Sequence, residues 1–142
     1  MLVLDANTLI RAALGSRVLS LLLKYAELVE FVAPDKAFKE ARSELPASLG
    51  RRKVPLPPAM AIMDQVAVLV KTVEAGTYQS FEHLARQRIA HRDEDDWPVV
   101  AAALAPDCPI WTEDTDFFGC GVATWTSDRV ELYLAKAAAR EQ

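Results

Sequence analysis

The chain opens with LVLDANTLI (residues 2–10), and the order of residue types in this stretch sets the architecture. Leu2, Val3 and Leu4 make a short apolar run that reads as a buried strand. The run stops at Asp5. ANTLIRAAL then carries the spacing of one or two helical turns, closed by Gly15.

Working outward, the same alternation recurs. Ser16 is placed to cap a helix whose apolar positions (Val18, Leu19, Leu22, Leu23, Ala26) have helical spacing. VEFVA (29–33) reads as a strand, Pro34 and Asp35 punctuate, and KAFKEARSEL follows as a helix that Pro46 ends or kinks. GRRKVPLPP (50–58) reads as a loop rich in proline and basic residues. AMAIMDQVAVLVKTVEA is an apolar helix with a strand-like tail, because Val66, Val68 and Val70 alternate. SFEHLARQRIA is a helix with Ser80 as its cap. DWPVVAAALA is a short buried helix with Pro98 in its first turn, where proline is tolerated. Pro106 and Pro109 bracket a turn before the strand CPIWT (108–112). GVATWT (121–126) reads as a last strand, and SDRVELYLAKAAAR as a C-terminal helix. Strands alternating with helices imply an α/β fold with a mainly parallel sheet. No repeat or interdomain linker interrupts residues 1–142, which are expected to form one domain.

The composition is globular: of 142 residues, 51% are apolar and 25% charged. Asp5 stands where a signal peptide is apolar, no basic segment precedes it, and no apolar run reaches the roughly 18–20 residues of a membrane span. A cytoplasmic protein without a membrane segment is expected. Cys108 and Cys120 are too few for a disulfide framework and read as reduced thiols. With His83 and His91 the only histidines, a Cys/His zinc site is not suggested.

The net charge of −4 is unevenly spread. Residues 93–116 contain eight acids and no lysine or arginine, leaving 16 basic against 12 acidic residues elsewhere. Arg11, Arg17, Lys36, Lys39, Arg42, Arg51, Arg52 and Lys53 are candidates for contact with a polyanion. The densest acidic stretch is WTEDTDFF (111–118). Like charges ~4 Å apart near a surface repel by about 4 kcal/mol, so such crowding is either surface decoration or a response to a cation.

The strand order brings distant acids together. Asp5 follows the first strand and Asp114 follows the IWT strand, so a parallel sheet carries both to the same edge, where ligands gather. Glu40 lies in the helix after the second strand, and Asp96 opens the helix at Trp97. Hard oxygen ligands without cysteine or histidine suit Mg²⁺ or Mn²⁺. Such ions can activate water for phosphoryl displacement. Asn7, Thr8 and Thr112 can orient the carboxylates by hydrogen bonding. Blander roles exist for single residues: Asp5 as a helix cap, Glu40 as a solvated helix acid, Asp116 as a cap for the turn at FFG. Glu94, Asp95 and Glu113 are assigned to solvent.

The ordered set resembles the PIN (PilT N-terminus) domain family. VLDANTLI resembles its opening strand and first acid, and APDKAFKEARSEL the segment with the second, Glu40, with Glu44 as the register alternative. RDEDDWPVVAAALA is similar to the third segment, giving Asp96 with Asp93 beside it. CPIWTEDTDFFG is similar to the fourth, giving Asp114 with Asp116 as an auxiliary ligand. The resemblance implies a three-layer α/β/α sandwich and a Mg²⁺- or Mn²⁺-dependent endoribonuclease. Asp5, Glu40, Asp96 and Asp114 are its catalytic acids, and these four with Asp116 hold the metal. It also implies a likeness to small stand-alone toxins of the virulence-associated protein C (VapC) type, which an antitoxin protein silences and which commonly form homodimers. A PIN-fold RNA-processing nuclease that is not a toxin, and a module that binds RNA or a partner without cutting, are the alternatives. A haloacid-dehalogenase-like phosphatase wants an acid where Asn7 stands. A phospho-receiver domain wants paired acids after its first strand and a late lysine.

Overall fold

The computed structural model describes residues 1–52, 55–90 and 92–141. Its centre is a five-stranded sheet formed by β1 (Leu2–Leu4), β2 (Phe31–Pro34), β3 (Val70–Val73), β4 (Ile110–Trp111) and β5 (Thr124–Trp125). The order is β3-β2-β1-β4-β5, with every neighbouring pair parallel. β1 lies in the middle, pairing Val3 with Val32 on one side and with Ile110 on the other. This explains its unbroken apolar sequence, since a central parallel strand is covered on both faces. Leu2, Val3 and Leu4 are fully buried, each side chain contributing about 2 kcal/mol.

The chain steps from β1 to β2 to β3 in one direction and returns to β4 in the other. With right-handed crossovers this puts the connecting helices on opposite faces. One layer holds α1 (Ala6–Ala13), α2 (Arg17–Tyr25), α3 (Asp35–Arg52) and α4 (Leu56–Leu69), in which α1 packs on α3 and α4. The other holds α5 (Ala75–Tyr78), α6 (Glu82–Arg88) and α7 (Trp97–Leu104), with α7 against β1 and β2. The last helix, α8 (Val130–Glu141), joins the first layer by packing on α2. There Glu131 accepts hydrogen bonds from Lys24 (2.7 Å) and Tyr25 (2.8 Å). The result is an α/β/α sandwich, as the alternating sequence implies.

Local signals hold in several places. Ser16 caps α2 by accepting from the Val18 N–H at 3.3 Å, and Gly15 turns the chain out of α1 at φ +74°, a region that favours glycine. Elsewhere packing overrides them. α3 runs unbroken through Pro46 to Arg52, because Ala41, Leu45 and Leu49 are buried at helical spacing on either side of the proline. Of the expected loop at 50–58, residues 50–52 belong to α3, and α4 begins at Leu56 with Pro57 and Pro58 in its opening turn; residues 53 and 54 lie outside the described residues. The strand tail of the apolar segment starts at Val70, and Val66 and Val68 remain helical. Ser80 is not a cap: α5 and a 3₁₀ turn (Gln79–Phe81) lead continuously into α6 at Glu82.

Candidate metal centre

Asp5 leaves β1 with extended backbone (φ −84°, ψ 174°) and serves as the N-cap of α1. Its Oδ1 accepts from the Thr8 backbone N–H at 2.8 Å, and the Thr8 hydroxyl sits between Oδ1 (2.6 Å) and the Trp111 carbonyl (3.0 Å). Its Oδ2 accepts from the Thr112 hydroxyl, which itself accepts from the Asp114 backbone N–H at 2.9 Å. Two buried threonines thus tie the carboxyl ends of β1 and β4 to one carboxylate, which is only 4% exposed. The helix-cap role and the cleft-facing role of Asp5 coexist.

The other acids arrive on equally specific supports. Asp114 caps the 3₁₀ turn Thr115–Phe117 by accepting from the Asp116 N–H at 2.9 Å, and buried Phe117 anchors that turn. Asp96 ends a 3₁₀ turn (Glu94–Asp96) capped by Asp93, which accepts from the Asp95 N–H at 3.0 Å. Trp97 pins this segment. Its ring packs on Tyr78 at 5.7 Å between centroids and has the Lys36 ammonium at 4.8 Å and the Arg86 guanidinium at 5.2 Å. Glu40 projects from the second turn of α3.

Asp5, Glu40, Asp96 and Asp114 line one cavity of about 50 Å³, together with Ala6, Asn7 and Phe117. At its rim Asp96, Asp114 and Asp116 each present a carboxylate oxygen, all within 4.8 Å of one another. Burial, reinforced by Asp93, Asp114, Glu40 and Asp5, pushes the Asp96 carboxyl up to about 7. Burial also raises Asp5 above the ordinary aspartate value, against the pull of its threonine donors. Glu40 is raised by burial and then by Glu44 and Asp5.

The remaining sequence candidates separate. Asn7 lies at the cavity mouth, and Asp93 is exposed but close enough for its charge to act on Asp96 and Glu40. Glu40, and not Glu44, lines the cavity. Asp116 does not cap its turn, the work of Asp114, and lies 3.7 Å from Arg92. Glu113 is not left to solvent: it accepts from the Ser127 N–H and ties the loop after β4 to the one before α8. Among the basic residues, Arg11 and Arg51 line a cleft beside the acids. Lys36 sits over Trp97, Lys39 is exposed, Arg42 pairs with Asp64 at 3.0 Å, and Arg17 reaches Glu131 at 3.4 Å. The Arg52 side chain and all of Lys53 lie outside the described residues. The sequence reading missed Arg92, whose signal was its position one residue before Asp93.

The donor set fits a hard divalent cation. Every ligating side chain around the cavity offers oxygen, and among the described residues no cysteine or histidine lines it. Burial first, and the neighbouring carboxylates second, make Asp96 hold its proton to about neutral pH.

A family profile described as PIN domain matches residues 3–135. The chain belongs to the PIN domain family. PIN domains are generally metal-dependent nucleases, hydrolases that act on nucleic acids, and the acidic trio supplies the ligand chemistry such a reaction needs. The fold of this PIN domain is similar to the crystal structure of PAE2754 from Pyrobaculum aerophilum. The TM-score is 0.67 at 19% identity, over 97% of this chain and 89% of that one. At that identity the likeness speaks for the fold. No curated protein matches the chain in sequence. Among the described residues no single helix is long and apolar enough to cross a membrane.

Proposed function

We propose that the chain is a single PIN domain over residues 1–142 and a Mg²⁺- or Mn²⁺-dependent endoribonuclease, with Asp5, Glu40, Asp96 and Asp114 as its catalytic acids and Asp116 as a further ligand. The observation that carries this reading is the meeting of four carboxylates, from four separate segments, in one small cavity at the carboxyl edge of the sheet. When bound, a divalent ion supplies Lewis-acid polarisation of the phosphoryl group and a water acidic enough to attack near neutral pH.

The chain's own residues do the rest. Thr8 and Thr112 hold both oxygens of Asp5 in fixed orientation, so this ligand is set before any ion arrives. Asp114 is aimed by the turn it caps. Asp96, pushed up to about 7, would help hold the cation in its deprotonated form. Asp93 and Asp116 add negative charge at the rim.

The finer reading is a toxin of the VapC type, active in the cytoplasm, silenced by an antitoxin protein and able to form a homodimer. It is supported by the resemblance of the chain to small stand-alone PIN proteins. Purified protein incubated with assorted RNAs is expected to cut them with Mg²⁺ or Mn²⁺ and not with EDTA, and Asp5→Asn is expected to lose at least 100-fold of that rate with the fold retained. Absence of cleavage with either ion, or an Asp5→Asn variant as fast as wild type, would refute the assignment. Induced expression that arrests growth, relieved by an adjacent small open reading frame, is the toxin test.

A further inference from the structure

We infer that the substrate strand leaves the acidic cavity along the cleft between α1 and α3, as an extended single strand held by Arg11 and Arg51 through its phosphates. This rests on the nuclease reading and names the path and state of its substrate. The cleft encloses about 520 Å³ and shares Asn7 and Asp114 with the lining of the acidic cavity, so the two adjoin. Arg11 reaches it from α1 and Arg51 from the last turn of α3, with Ser48 and Thr115 between them. A volume of this size suits a short segment of a single strand.

Charge use across the surface selects these two arginines. Most of the other basic side chains near the site have partners: Lys36 over Trp97, Arg42 on Asp64, Arg86 on Glu82, Arg92 on Asp116. Among the described residues neither Arg11 nor Arg51 has a carboxylate within ion-pair range. Among the described residues the Arg51 guanidinium makes one hydrogen bond, a long one of 3.4 Å to Ser48. Glu113 also borders the cleft, but one of its oxygens is committed to Ser127. Two guanidiniums facing one polar cleft beside a nuclease site fit the phosphates of a strand, which arginine grips bidentately. Among the described residues no aromatic side chain lines the cleft. The hold is therefore through the backbone and not through base stacking, and it tolerates sequence.

The test is equilibrium binding of a fluorescent 12-nucleotide single-stranded RNA, and of a duplex of equal length, in EDTA so that nothing is cut. Arg11→Gln/Arg51→Gln is expected to weaken single-strand binding at least 10-fold. The slope of log affinity against log salt should flatten by about 1.4, the share of two phosphate contacts. Arg11→Lys/Arg51→Lys should restore most of the salt slope, which a merely misfolded variant would not. Unchanged binding by the glutamine variant overturns the proposal. So does an equal loss from Lys36→Gln/Lys39→Gln, or duplex binding as tight as single-strand binding. Metal-dependent cleavage with arginine-independent binding removes the cleft and leaves the nuclease reading. Arginine-dependent binding without cleavage does the reverse.

Discussion

Replacing Asp96 with asparagine is expected to stabilise the metal-free protein while destroying its activity. Moving a carboxyl from 3.8 to about 7 corresponds to about 4 kcal/mol at full strength, at roughly 1.4 kcal/mol for each pH unit. Asp96 is only half-buried, and solvent screening reduces this to about 2 kcal/mol. The sign follows from the direction. A folded-state value above the unfolded one means that proton binding favours the fold: this contribution is complete below about pH 4 and lost as pH rises through about 7. At pH 8 the wild type therefore holds an opposed charge that asparagine lacks. Asp96 makes no side-chain cap hydrogen bond to α7, so little is forfeited in the exchange. Thermal melting in EDTA at pH 8 should show Asp96→Asn higher by about 8 °C, at roughly 4 °C for each kcal/mol in a chain of this length. At pH 4.5 the gap should nearly close. Adding Mn²⁺ at pH 8 should raise the wild type more than the variant, since bound ligand stabilises by mass action. A variant that melts lower than wild type at pH 8 in EDTA, or a gap that ignores pH, would show that this site does not disfavour the Asp96 charge.

Two further outcomes follow from particular contacts. Thr112→Val removes the donor to Asp5 and the acceptor for the Asp114 N–H; metal affinity by isothermal titration should fall 10- to 100-fold, with about 1–3 kcal/mol lost in urea melts. Gly121 has φ +85°, and a Cβ there would lie 2.0 Å from the Arg88 guanidinium. Gly121→Ala should therefore cost about 1–2 kcal/mol in the same melts, and a neutral result would mean that this loop is not held as described.

Much of the architecture was legible because strands and acids occur together. An apolar run ending on a carboxylate, as at Leu4–Asp5 and again near Trp111–Asp114, fixes both the element and the edge it feeds. That rule carries Asp5 and Asp114 to one edge in the sequence reading, whereas Asp96 is read from its place at the start of the helix at Trp97. It failed where tertiary packing outweighed a local breaker: Pro46 disrupts a helix hydrogen bond, yet with Leu45 and Leu49 buried α3 continues past it. The basic track was legible only as a composition. Which arginines face the acids depends on the rotation of α3 and on partners such as Asp64 and Trp97, which no spacing within 36–53 reveals. The link from Glu113 to Ser127 was hidden for the same reason, since it crosses between two loops.

The four carboxylates of the cavity stand at positions 5, 40, 96 and 114, and the threonine that joins the first to the last becomes available only when β4 is seated beside β1. A nascent chain whose β4 is still inside the ribosome has therefore not assembled the cluster. The acids at 5, 40 and 96 wait for the one at 114, so the site closes late in synthesis.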